Sequence, residues 1–208
     1  MVFQINGWAI AFQFAVAGIM SFVVSQVFEG FPKGEKRKMA LALGFSLVAP
    51  AALLQTLFHE ASHSFVAKTF GIKTLAFGVN FTGAYVILST EVSRRTPIEA
   101  ITISLAGPLS SLVTATCFIL LAHVFRSSKT IKAVMFSGLL LTSDLSSLIP
   151  LTGNDGWNAL VYGFGPLLHL NSIKADSTLL NSPLFSAFLL CVVGITLGAI
   201  CYKAYKKL

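Results

Sequence analysis

Apolar positions run along this chain in long unbroken blocks. No charged side chain falls in residues 1–28, 39–58, 100–125 or 177–202, and each block can cross about 30 Å of hydrocarbon as a helix of roughly 20 residues. A further apolar stretch, 131–170, is interrupted by Asp144, Pro150 and the turn-forming run 152–156. The pattern predicts an all-α polytopic membrane protein with about five transmembrane helices. Span 1 covers about 7–28, and span 2 runs from about 39 to just before Gly71, with a kink at Pro50 because proline lacks the N–H that a helix interior needs. Span 3 starts at Pro97, a favourable first-turn residue, and reaches about 125. Span 4 covers about 131–149, breaks over 150–155 and resumes at 157–170. Span 5 covers 183 to about 202–204.

Between spans 2 and 3 the period changes. Phe77, Val79 and Phe81, then Tyr85 and Ile87, recur every two residues with Gly78 and Gly83 between them, which predicts a small membrane-associated hairpin or sheet within 72–89.

Composition agrees with this class: 55% of residues are hydrophobic and 11% charged, far from the average of a soluble domain. The first block opens without the basic segment and small-residue cleavage site of a signal peptide, so we expect it to be retained. The net charge of +7 does not point to nucleic acid, since the basic residues cluster beside the spans, at 33–38, 126–132 and 203–207, where they act as topology signals. On the five-span scheme these clusters put ten Lys and Arg on one side and five on the other. That bias places the N-terminus outside and the C-terminus in the cytoplasm. Cys117, Cys191 and Cys201 all lie in apolar blocks without ligand spacing and are expected to be core or lipid-facing thiols.

The chemistry concentrates at HEASH, residues 59–63. On a helix, His59 and His63 lie four residues apart and face the same way, so both imidazoles can bind one metal ion, while Glu60 can take a proton from an attacking water. Zinc suits two imidazoles plus a carboxylate and acidifies water. Polar groups at the end of a membrane span are costly and mark function. For a third ligand, His123 and His169 sit at the ends of apolar segments, as interfacial side chains do. Asp155 lies in the break of span 4, before Gly156, and broken helices at membrane depth point to sites. Asp144 competes with it from mid-helix, where it can instead serve as a polar contact between helices or a gate.

The chain resembles the site-2 protease family of intramembrane zinc metalloproteases. The resemblance rests on three segments in order: HEASH, then AGPLSS at 106–111, then SLIPLTGNDG at 147–156. It implies one zinc per chain held by His59, His63 and Asp155, with Glu60 as catalytic base. It also implies hydrolysis of peptide bonds in or near the transmembrane segment of a substrate protein within the bilayer, and a sheet at 72–89 that holds substrate as an added strand. A single integral-membrane domain, 1–208, would then carry a protease core over about 39–170. The resemblance places the HEASH end of span 2 nearer the cytoplasm, opposite to the charge count. Ser111 and Ser147 stand where the family pattern has asparagine; Ser147, Asn154 and Ser111 are the candidates for contact with the substrate carbonyl or its oxyanion. These departures leave open a catalytically weak or inactive member that binds membrane segments as a scaffold or chaperone.

Other metal enzymes of membranes fit less well. Di-iron lipid desaturases need many more histidines than the four present. A prenyl-protein protease would use a downstream glutamate, for which Glu91 and Glu99 lie beside surface loops. A zinc transporter would need more than one ligand cluster.

Overall fold

The computed structural model describes residues 1–30, 33–81, 83–148, 154–168 and 183–207. The chain opens with a short strand, β1 (Val2–Ile5), and enters α1 (Gly7–Glu29). Asn6 starts α1: its side-chain oxygen accepts from the backbone N–H groups of Trp8 and Ala9, satisfying donors that a helix start leaves open. Next come α2 (Glu35–Leu43), a π-helical turn (Gly44–Val48) and α3 (Ala49–Thr69), which together form one helical run of 35 residues. The wide turn lies just ahead of Pro50. There Ala49 N–H bonds to the Gly44 carbonyl, five residues back, and the helix accommodates a proline that cannot donate.

The hairpin expected at 72–89 is present as β2 (Thr74–Asn80) and β3 (Gly83–Leu88). It gains a partner that the sequence does not announce. β1 pairs in parallel with β2, Phe3 opposite Phe77, while β3 pairs antiparallel on the other side, Val86 opposite Phe77. Four residues are too few to display a period of two, and their partner lies about seventy positions away.

α4 (Pro97–Val124) begins with a capping box, Thr96 and Glu99 bonding reciprocally to each other's backbone. α5 (Lys129–Thr142) follows, and the chain then turns through a 3-10 segment (Leu145–Leu148). It resumes as α6 (Asp155–Asn158), a second π-helical turn (Ala159–Phe164) and α7 (Gly165–Leu167), and ends in α8 (Pro183–Lys207).

Among the described residues three helical runs are long and apolar enough to cross a membrane: α1, α2–α3 and α4. Their surfaces are inverted relative to a water-soluble protein. On α1 the buried positions include Ala9, Gly18, Ser21 and Ser25, whereas Phe12, Val16, Ile19, Val23 and Val27 form an exposed stripe. Small residues let helices approach, and lipid takes the large apolar ones. Ser21 and Ser137 share a hydrogen bond of 2.7 Å between α1 and α5 inside this contact.

The fourth expected span differs. α5 has 14 residues, about 21 Å of helix, and most of it is buried: Thr130, Lys132–Gly138 and Thr142 are all covered. It is a central strut and not a lipid-facing span, which is why its sequence is apolar on every side. Lys132 finds its partners at the foot of the helix, donating to the Tyr205 carbonyl at 2.9 Å and resting over the Tyr205 ring. Phe28, Phe118, Met135, Phe136 and Tyr205 close the core around it. Cys117 is exposed and Cys201 half-buried, both as free thiols. The Cys191 side chain lies outside the described residues.

Candidate metal centre

α3 carries His59 and His63 one turn apart on the face it turns toward α4. Both are buried, and their Nε2 atoms lie 3.1 Å from each other. Glu60, the next residue round, is half-buried, reaches the backbone of Val86 in β3, and has a carboxylate within 4.8 Å of the imidazole nitrogens. Gly107 of α4 lies directly against this group. A Cβ built there would sit on the Nε2 atoms of both histidines, deep inside van der Waals contact. The AGPLSS segment therefore does more than let two helices approach: its glycine leaves open the space the two imidazoles point into.

Asp155, the first residue of α6, closes the group. Its Oδ2 is 2.9 Å from His59 Nε2 and its Oδ1 3.3 Å from His63 Nε2. The neighbouring Gly156 is pressed onto the Leu148 carbonyl, where a Cβ would collide with backbone, so the turn that delivers Asp155 needs glycine.

Asp144 is not mid-helix as the sequence suggests. α5 ends at Thr142, and Asp144 sits beyond its cap in the left-handed region, φ 45°. From there its Oδ2 lies 2.7 Å from His59 Nδ1. The apolar run continues past the helix end, so periodicity places the break several residues too late.

The donor set suits a cation. His63 Nδ1 faces the Ile103 carbonyl at 2.5 Å, which can only accept, so the ring proton belongs on Nδ1 and the Nε2 lone pair faces inward. Asp144 imposes the same tautomer on His59. With both ring protons on Nδ1, two imidazole lone pairs and a carboxylate would converge on one point, the arrangement that a bound cation takes up. Their separations, 2.9 to 3.3 Å, suit it too. Two donors about 2.0–2.1 Å from one zinc at a tetrahedral angle lie roughly 3.3–3.4 Å apart. His59, His63 and Asp155 can therefore hold zinc.

A cavity of about 600 Å³ opens on this group between α1, α3 and the β2–β3 turn. His59, Glu60, Asp144, Ser147, Asn154 and Asp155 supply its polar wall, and Phe12, Val16, Met20 and Phe81 its apolar one. Ser147 faces the cavity, but its hydroxyl donates to the Asp144 carbonyl at 2.8 Å. Ser111 is fully buried and does not line the cavity. It lies 3.4 Å from His59 Nδ1 and receives a hydrogen bond from Gln55, whose other amide atom accepts from Thr114 at 2.6 Å. Gln55 is a site residue that motif reading misses, although its place one turn before His59 in an otherwise apolar run signals it.

His123 is exposed in the last turn of α4 and does not line the cavity. His169 and residues 149–153, including Pro150, lie outside the described residues.

A family model described as peptidase M50B-like matches residues 38–202. The structure of a site-2 protease from Methanocaldococcus jannaschii aligns with a TM-score of 0.44 at 18% identity, covering 92% of this chain and 87% of that one. No curated protein matches.

Proposed function

The chain belongs to the peptidase M50B-like family, and from that premise we propose that it is a site-2-type intramembrane zinc metalloprotease that cuts peptide bonds in or near the transmembrane segments of other proteins. The observation that carries this reading is the convergence of His59, His63 and Asp155 on one point beside Glu60, at the wall of a cavity between membrane helices. Zinc bound there supplies a Lewis acid that acidifies water and polarises a carbonyl.

The chain's own residues do the rest. Glu60 takes the proton of the attacking water and delivers it to the leaving amine, its carboxylate held toward the site by the Val86 backbone. β3 pairs with β2 on one edge only, among the described residues, and Gly83 and Ala84 of β3 line the cavity. An unwound substrate segment can pair along the other edge, which replaces the hydrogen bonds it loses on leaving its helix. Asn154 lines the cavity and is our candidate for contact with the substrate carbonyl. Ser111 acts from beneath His59 and not on substrate. The apolar wall from α1 receives the substrate's side chains within the bilayer.

The test is cleavage of a panel of single-span substrates by purified, zinc-loaded protein. Glu60→Gln is expected to bind zinc with unchanged stoichiometry and to lose cleavage at least 100-fold, the scale of a missing general base. The absence of any Glu60-dependent cleavage across the panel would falsify the reading. One observation favours the second reading, a weak or inactive binder of membrane segments: the Ser147 hydroxyl, at the family's asparagine position, is engaged by the Asp144 carbonyl. A scaffold's binding survives Glu60→Gln, whereas a protease's output does not.

A further inference from the structure

We propose that Asp144 is a positioning residue for the metal centre, holding His59 through its Nδ1 so that Nε2 presents a fixed lone pair; the inference rests on the zinc-binding reading above. The two histidines are steadied by different chemistry. His63 Nδ1 is met by a main-chain carbonyl of α4, that of Ile103. His59 Nδ1 is met by the Asp144 carboxylate at 2.7 Å, while the Ser111 hydroxyl stands at 3.4 Å. The shorter contact is in the range of a charge-assisted hydrogen bond. Asp144 thus holds the His59 ring from its Nδ1 side, opposite the Nε2 that faces Asp155.

The backbone supports a dedicated role. Asp144 is the one non-glycine residue with positive φ among the described residues. Glycine would occupy that conformation without strain, yet the chain places a carboxylate there. It is not the cap of α5, a position held by Ser143. The left-handed turn ends α5 and swings the carboxylate back over the site, and the Asp144 carbonyl accepts from both the amide and the hydroxyl of Ser147, which fastens the turn. The arrangement explains a break in α5 at this depth: the helix must stop for the carboxylate to reach His59.

A carboxylate behind a metal-binding imidazole fixes its tautomer and orientation and raises its basicity, and losing such a partner lowers metal affinity 10- to 100-fold. Asp144 touches neither the zinc position nor Glu60 in this arrangement, so it acts through His59.

The experiment compares wild type, Asp144→Gly, Asp144→Asn and His63→Ala as full-length protein in lipid nanodiscs. The readouts are zinc affinity by chelator competition, the visible spectrum of the cobalt-substituted protein, and thermal stability without metal. Glycine relieves the φ of 45°, so Asp144→Gly is expected to fold at least as stably as wild type, to bind zinc 10- to 100-fold more weakly and to shift the cobalt bands. Asparagine tolerates the same backbone and its carbonyl oxygen accepts from Nδ1–H, so Asp144→Asn is expected to recover affinity to within a few-fold. Affinity within twofold of wild type in Asp144→Gly, with an unchanged cobalt spectrum, overturns the inference, as does an asparagine variant no better than glycine. His63→Ala separates the two levels. If it loses zinc while Asp144→Gly does not, the metal centre stands and the positioning role fails; if wild type binds no zinc, both fall.

Discussion

Gly107→Ala adds one methyl group at the point where α4 faces the two histidines. The new Cβ would meet both Nε2 atoms well inside contact distance, and each would have to retreat by roughly 1 Å to reach ordinary van der Waals separation. Metal sites tolerate about 0.2 Å in their bond lengths, so a displacement several times larger removes at least one imidazole from the zinc. Stability behaves differently. Alanine gains about 1 kcal/mol over glycine inside a helix, while overpacking costs about 1–3 kcal/mol. The imidazole ends can swing toward the cavity, which keeps the cost at the lower end. The net change in folding stability is therefore between about zero and 2 kcal/mol, and the protein stays folded. The expected phenotype is a folded, monodisperse protein whose zinc affinity is lower by at least 100-fold and whose cleavage is lost with it. Zinc affinity by chelator competition, alongside thermal unfolding of the metal-free protein, separates the two effects. A Gly107→Ala protein that binds zinc as wild type does would refute the account of α4 as the floor of the metal site.

Gly156→Ala sets a Cβ against the Leu148 carbonyl, a backbone atom that cannot swing aside. It should lower stability by about 1–3 kcal/mol and weaken zinc binding by displacing Asp155; chelator competition and thermal unfolding check both. Gln55→Leu leaves the buried Ser111 hydroxyl and the half-buried Thr114 hydroxyl without the partner that Gln55 supplies, at a cost of about 1–3 kcal/mol, and a denaturation curve indistinguishable from wild type would contradict that. Thr96→Ala removes the hydroxyl that accepts from the Glu99 amide at the start of α4 and leaves the reciprocal bond from the residue-96 amide to the Glu99 carboxylate, which should lower stability by about 1 kcal/mol with zinc affinity unchanged.

The grouping of His59, His63 and Asp155 was legible in the sequence because helical spacing alone aligns His59 with His63, and because an aspartate beside a glycine in a broken apolar run has few structural reasons to exist. The hairpin was legible because Phe77 to Ile87 shows the period of a strand between helices. Three features were not. β1 is too short to show a period and pairs across a long sequence separation. The end of α5 is invisible because the apolar run continues past it, burial on all sides having erased the usual amphipathic signature. That error displaced Asp144 from the turn to the middle of a helix and hid its contact with His59. Ser111, a substrate-contact candidate from its place in AGPLSS, points beneath the histidine, because the helix face that offers Gly107 to the site turns position 111 into the contact with α3.

X-ray absorption at the zinc edge of the purified protein is the most direct test of the metal centre on which the account rests. It predicts one zinc per chain with two imidazole nitrogens at about 2.0–2.1 Å and carboxylate oxygen at about 2.0–2.2 Å. An imidazole should vanish from that shell in His63→Ala. A chain that takes up no zinc, or a shell dominated by sulfur at about 2.3 Å, would contradict it.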